Sequence, residues 1–324
     1  MTDVARLAGV SHQTVSRVIN GSQAVRPATR DRVLQAMAQL DYRPNPVARA
    51  LVTGRSKTLG VVSFDTTLYG PASTLFGIEQ AAHEAGYFIT IVSLKTLDLE
   101  SVLDAVERLR AQGVDGILVI APYEGAAHAL MQAPTGFPIV AVEAGPAGGI
   151  PVAAIDQFTG ASIATRHLLE LGHRTVWHVA GPADWYDAAG RIDGWRQALT
   201  EARAEIPPPV PADWSAAAGY AAGQMLARMP EVTAVFAAND PLALGLLRAL
   251  HERGRRVPQE VSVVGFDDVP EAAYFIPPLT TVRPDFEAVA RAGLDLLLAQ
   301  VSGGADGPGR VVLEPALVIR DSVR

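Results

Sequence analysis

The chain has 324 residues, a net charge of −7 and 49% apolar residues, enough for more than one domain with a sizeable core. It contains no cysteine, which excludes a disulfide framework and thiolate chemistry. No long uninterrupted apolar run and no basic-then-apolar leader occur, so the sequence predicts a cytoplasmic protein rather than a secreted or membrane-spanning one. The total charge conceals an asymmetry. Residues 1–57 hold nine Lys or Arg against three Asp or Glu, a balance of +6, while the remainder holds 18 against 31, a balance of −13. A small basic module on an acidic body is the electrostatic footprint of a phosphate-backbone binder whose bulk avoids nucleic acid.

In chain order, Val4, Leu7 and Ala8 give the apolar edge of a first helix, and Gly9 supplies a sharp turn. Ser11 reads as the N-cap of a second helix, with Val15, Val18 and Ile19 pointing inward and Asn20-Gly21 ending it in a left-handed conformation. Gln13 and Arg17, four residues apart, share an outward face able to reach base edges. Val33, Ala36, Met37 and Leu40 mark a third helix with Pro27 in its first turn. This is helix-turn-helix spacing. A three-helix bundle without a nucleic-acid partner shares the pattern, and the basic charge decides between them.

Pro44 and Pro46 interrupt the chain after the headpiece, and Val47, Ala48, Ala50 and Leu51 form a run too short to be helical alone. It reads either as a linker or as a hinge that becomes helical only beside DNA and its copy in a dimer.

From Thr58 onward, apolar strand candidates (59–63, 87–93, 116–120, 139–142, 175–180, 233–238 and 261–266) alternate with helical segments (73–85, 98–111, 159–171, 187–203, 215–229, 241–253 and 284–300). This alternation predicts an α/β body with two doubly wound parallel sheets, each in its own lobe, and a ligand cleft at the carboxyl ends of the strands. Asp65, Pro122, Glu143, Gly181-Pro182, Asn239-Asp240-Pro241 and Asp267-Asp268 fall at those ends. Asp240 before Pro241 reads as a helix N-cap, which leaves Asn239 for other work. Asp267-Asp268 alone reads as a strand-ending turn, but the recurrence of polar residues at one edge favours a cleft.

A hydroxyl-rich ligand needs planar polar partners and aromatic faces. Arg191, Asn239 and Asp267 supply the polar set, and Trp185, Trp214 and Phe286 the platforms, whereas Trp195 and Trp177 read as packing residues. No phosphate loop, nucleophile elbow or His-Glu-x-x-His metal pair is present, and the seven histidines match no ligand spacing. The reading therefore invokes no enzyme, no metal and no cofactor.

The runs Asp3-Val4-Ala5, Ala8-Gly9-Val10-Ser11, Thr14 to Gly21 and Tyr42-Arg43-Pro44-Asn45 resemble the headpiece of the lactose-repressor/galactose-repressor (LacI/GalR) family of bacterial regulators. Gly172-His173, Ala180-Gly181-Pro182, Arg191 with Gly194-Trp195, Ala238-Asn239-Asp240 and Val264 to Asp268 extend the likeness over nearly the whole chain, and Ile276 to Thr281 with Asp285-Phe286 place the body closest to the lactose-responsive branch. The resemblance implies a headpiece (1–43), a hinge helix (44–57) and a two-lobed body like periplasmic sugar-binding proteins (58–324). Its lobes are about 58–156 with 286–315, and about 157–285 with 316–324.

It also implies double-stranded DNA contacts from Ser11, His12, Gln13, Thr14, Ser16, Arg17 and Asn20, with His12, Gln13 and Arg17 reading bases. Asn45, Ala48 and Leu51 are implied in the hinge, with Leu51 as a minor-groove wedge. Arg191, Asn239 and Asp267 match the family's sugar ligands, Trp214 and Phe286 its aromatic wall, and Leu68 and Pro71 its apolar floor. Glu143 stands where that branch has a shorter carboxylate, and Trp185 is an added aromatic. The implied function is a homodimeric repressor released from a palindromic operator by a galactoside-like sugar. A purine- or nucleoside-responsive corepressed regulator is the alternative. A sugar-transport protein would share the body but have no use for residues 3–51. The first helix begins without the residues that normally precede it, and no heptads follow Arg320, so the sequence points to a dimer.

Overall fold

The structure, a computed structural model, describes residues 1–19, 22, 24–43, 54–94, 98–123, 126, 129–132, 136–145, 149–304 and 309–324. The chain divides into two compact units, Met1–Ser56 and Lys57–Arg324.

In the first unit, helices α1 (Thr2–Ala8), α2 (His12–Ile19) and α3 (Pro27–Gln39) enclose a core of Val4, Ala5, Ala8, Val15, Val18, Val33 and Ala36. Gly9 ends α1 at φ 62, the left-handed conformation the sharp turn requires, and its N–H returns to the carbonyls of Ala5 and Arg6. Ser11 Oγ accepts from the Thr14 N–H at 3.2 Å and so caps α2. Two expectations fail here: Leu7 is 51% and Leu40 44% exposed. The buried stripe of α1 runs through Val4, Ala5 and Ala8, which turns Leu7 outward, and Leu40 is the C-cap of α3, beyond its last helical residue. Asn20-Gly21 and the whole hinge run from Pro44 to Leu51 lie outside the described residues.

The second unit holds two six-stranded sheets. The first contains β1 (Thr58–Phe64), β2 (Phe88–Leu94), β3 (Gly116–Ile120), β4 (Ile139–Val142), β5 (Val152–Ile155) and β11 (Arg310–Leu313), ordered β11-β5-β4-β3-β1-β2 and parallel throughout. The second contains β6 (Trp177–Ala180), β7 (Val210–Pro211), β8 (Ala234–Ala237), β9 (Ser262–Phe266), β10 (Thr280–Arg283) and β12 (Ala316–Val318), ordered β12-β10-β9-β8-β6-β7, with only β12 antiparallel. Strands β3, β4, β5, β8 and β9 are buried at every residue, as expected of parallel sheets covered on both faces.

Both sheets repeat one winding, in which the first strand along the chain lies between the second and the third. Helices α4 (Tyr69–Glu84), α5 (Leu99–Ala111) and α10 (Phe286–Val301) cover the first sheet, and α6 (Gln157–Glu170), α7 (Tyr186–Glu201), α8 (Ala216–Leu226) and α9 (Asp240–Glu252) the second. The sequence reading missed β5, β7, β10, β11 and β12. These are runs of two to four residues, several on sheet edges, whose Ala, Thr and Arg content carries no strand period. Trp195 is fully buried with its Nε1–H donating to the Val176 carbonyl at 2.8 Å, which places it in the core; Trp177 packs half-buried at the start of β6.

Candidate functional site

On α2, Ser11, His12, Gln13 and Arg17 are exposed while Thr14 and Ser16 are half-buried, so one helix presents a polar edge of the size a base-reading surface needs. Val15 and Val18 on the opposite edge anchor it to α1 and α3. Asn20, Asn45, Ala48 and Leu51 lie outside the described residues.

In the body, the strand ends of the two sheets face a cavity of about 500 Å³. Leu68, Pro71, Glu143 and Phe286 line it from the first lobe, and Trp185, Arg191, Trp214, Asn239 and Asp267 from the second. The turns after β1, β4, β6, β8 and β9 thus bring together residues scattered over more than 200 positions, at the place where doubly wound sheets hold ligands. One flank is closed by chain from both lobes. Tyr123 bridges Trp185 in antiparallel fashion with ring centroids 4.4 Å apart, and the Tyr186 N–H donates to the Pro122 carbonyl at 2.9 Å.

Arg191 is the centre of the polar set and is only 4% exposed. Its Nε donates to Gln157 Oε1 at 2.9 Å, one terminal nitrogen donates to the Ala238 carbonyl, and the other lies 3.4 Å from Asp267 Oδ1. The guanidinium stacks 3.7 Å from the Phe266 ring centroid. Burial raises the Asp267 carboxyl to about 7 against the opposing pull of Arg191. Asp267 is held at φ 103 and Glu143 at φ 54, backbone conformations uncommon for residues with a side chain. Glu143 is 6% exposed; its Oε2 accepts weakly from the Ile155 N–H at 3.4 Å, and its Oε1 has no hydrogen-bond partner. Burial first, and the Asp187 charge second, push its pKa up to about 8.

The Asp240 expectation is reversed. Asn239 caps α9, its Oδ1 accepting from the Leu242 N–H at 2.9 Å while its Nδ2 donates to the Trp214 carbonyl at 3.1 Å. Asp240 is buried instead, accepting from Thr281 Oγ1 at 2.6 Å and from the Val269 N–H at 2.9 Å, and so staples β10 and the turn after β9 to the helix. Asp268 pairs with Arg283 and, at 2.7 Å, with Arg320, away from the cavity lining. Trp214 lies edge-on to Trp185 with centroids 5.3 Å apart. Gly181 makes room for it, since a Cβ there would sit 2.3 Å from the indole ring.

Several residues escaped the sequence reading, among them Glu271, Asp187 and Gln157. Asp187 lines the cavity one turn before Arg191 on α7, and that four-residue spacing was the available signal. Gln157, which orients the guanidinium, begins α6 far away in sequence and had none.

Two family models match the chain: bacterial regulatory proteins of the lacI family over residues 1–45, and the periplasmic binding protein-like domain over residues 165–323. The Escherichia coli (strain K12) lactose operon repressor is 35% identical over 98% of this chain and 89% of its own. The chain belongs to the LacI family of bacterial regulatory proteins. This family member is also 37% identical to the Thermobifida fusca transcriptional regulator CelR, over 98% of this chain and 96% of that one. A crystal structure of the lac repressor dimer bound to operator and the anti-inducer ONPF matches it with a TM-score of 0.90 at 34% identity, covering 99% and 97% of the two chains. The complex of CelR with cellobiose matches at 0.74 and 34%, covering 99% and 98%. As a LacI-family member the chain is a DNA-binding transcriptional regulator with a helix-turn-helix headpiece and a periplasmic-binding-protein-like body, and its relatives are repressors, not enzymes. Among the described residues no helix is long and apolar enough to cross a membrane.

Proposed function

We propose that this protein is a cytoplasmic repressor of carbohydrate-utilisation genes that leaves a palindromic operator when a galactoside-like sugar binds between its lobes. The observation that carries the reading is the cavity itself. It joins a buried guanidinium–carboxylate–amide set to an aromatic wall, the combination that recognises hydroxyls and sugar C–H faces together. On the DNA side, His12, Gln13 and Arg17 read base edges, Ser11, Thr14, Ser16 and Asn20 support them, and Asn45, Ala48 and the Leu51 wedge act in the hinge. A homodimer fits the body's exposed apolar residues, among them Phe88 at 77%, Tyr274 at 84% and Ile276 at 93%, which a partner surface would cover.

The sugar acts only through its different affinity for the two arrangements of the lobes, a coupling of typically ~1–3 kcal/mol. Because Glu143 and Phe286 reach the cavity from one lobe and Arg191, Asn239 and Asp267 from the other, a bound sugar ties the lobes together and biases their rotation. Tryptophan fluorescence against a panel of mono- and disaccharides, followed by operator gel shift with each responder, tests the scheme. A sugar that changes Trp185 and Trp214 emission and weakens operator binding is expected; no change in operator affinity with any sugar would overturn it. The second reading, a purine or nucleoside corepressor, is favoured by the 33% identity to the Haemophilus influenzae repressor PurR and by the stacking surfaces of Trp185 and Trp214. It predicts tighter operator binding with the ligand instead of release.

A further inference from the structure

The carboxylates of the cleft outnumber its cations. Glu143, Asp187, Asp267 and Glu271 line the cavity, and among the described residues that line it Arg191 is the one base. Arg191 is already committed to Asp267, to the Gln157 and Ala238 oxygens and to the Phe266 ring, and its charge is shared among Asp267, Asp187 and Glu143, so it leaves little for a ligand anion. Glu143 and Asp187 line the same cavity from opposite lobes, and the Asp187 charge helps to raise the Glu143 carboxyl. Glu143 Oε1, in a side chain more than nine-tenths buried, has no hydrogen-bond partner.

A buried carboxyl with an unpartnered oxygen and a second acidic group in the same cavity is held protonated, as the rise of Glu143 to about 8 shows, unless a positive group takes the proton's place. A metal is a poor match, because among the described residues no group of three His, Asp or Glu side chains converges closely enough to hold one. The aromatic wall of Trp185, Trp214 and Phe286 suits a ring with apolar faces and adds cation–π attraction for an attached ammonium.

We infer that the effector is an amino sugar, a carbohydrate ring bearing a protonated primary amine held between Glu143 and Asp187. The inference rests on the sugar-responsive reading above and narrows its ligand class. It also excludes sugar phosphates, for which the cavity lining offers no uncommitted base. A hydroxyl can donate to only one carboxylate through its single proton, whereas an ammonium donates to both and cancels their repulsion.

The test is calorimetric and fluorescence titration of the full-length protein at neutral pH with matched sets: glucosamine and galactosamine, their N-acetyl forms, the parent hexoses, the hexose 6-phosphates, and ethanolamine as an amine without a ring. The amine sugars are expected to bind roughly 10- to 100-fold more tightly than their N-acetyl and hydroxyl counterparts, the range of a hydrogen bond to a charged group. In Asp187→Asn and Glu143→Gln that ratio falls towards one. Parent hexoses binding as tightly as the amines would overturn the inference and leave the sugar reading intact. Ethanolamine matching the amine sugars, or an unchanged ratio in both substituted proteins, would also overturn it. Absence of any response to the amine sugars would overturn the inference, while the galactoside-like reading falls only if the mono- and disaccharide titration above is silent as well.

Discussion

On the headpiece, Ser11, His12, Gln13 and Arg17 stand in solvent above a core of small side chains, whereas in the body Glu143, Arg191 and Asp267 are more than nine-tenths buried and bound to one another or to backbone. Both surfaces are polar and both are read as recognition sites, yet they carry charge under different physical regimes. Exposed groups are solvated with or without a partner, so they add binding without adding much stability. Buried groups are already inside the fold's electrostatic balance, so changing one alters ligand affinity, stability and the protonation of its neighbours together.

The sharpest way to break this contrast is Arg191→Ala. Removing the guanidinium leaves Asp267 uncompensated beside Glu143 and Asp187, and a buried pair broken from one side typically costs ~3–5 kcal/mol. Urea denaturation should show a loss of that order, with no fluorescence response to sugars; a loss below about 0.5 kcal/mol, the range of ordinary surface changes, would place the cleft in the same regime as the headpiece. Arg17→Ala should do the opposite, weakening operator binding by about 1–3 kcal/mol in gel shift while moving thermal stability by no more than about 0.5 kcal/mol.

The pH dependence of stability sharpens the same contrast. Burial raises the folded-state pKa of Glu143 from its ordinary value of 4.5 to about 8, so the folded chain holds this proton more tightly than the unfolded chain does. Its contribution is therefore complete below pH 4.5 and is lost as the pH climbs through about 8. Glu143→Gln, which carries the neutral form at every pH, should melt higher than the parent at pH 8 and match it more closely at pH 5, at roughly 2–4 °C per kcal/mol regained in calorimetry. An equal offset at both pH values would mean that Glu143 is solvated as a headpiece residue is. The smallest expected effect belongs to Ser11→Ala. Losing the cap on the Thr14 N–H should destabilise α2 by ~1 kcal/mol, seen as faster amide exchange in residues 12–19 of the full chain, with the body's exchange unchanged.

Much of the cleft was legible because strand-ending polar residues stand out against continuous apolar runs. Glu143 after β4, Asn239 after β8 and Asp267 after β9 are each the first polar group beyond a fully buried strand. The roles were less legible than the positions. Nothing local distinguishes Asn239 from Asp240 as the cap, since both favour that position, and the choice falls to Thr281 and the Val269 N–H, which converge on Asp240 from elsewhere in the fold. Leu7 and Leu40 failed for a related reason: helical spacing gives a stripe, but which edge of the stripe is covered depends on the neighbouring helices.

Periodicity, caps and charge segregation by themselves determined a basic helix-turn-helix unit, a doubly wound α/β body and the polar strand ends that face the cavity, because each is set within a few residues by backbone geometry and solvation. The tertiary structure alone decided that Gln157 and the Ala238 carbonyl consume the donors of Arg191, that Asp187 and Glu143 line one cavity, and that Asp240 is a staple and not a cap. Those outcomes depend on groups such as Gln157 and Ala238, 34 and 47 residues from Arg191, being brought to one place, and on the low dielectric that burial then imposes on them.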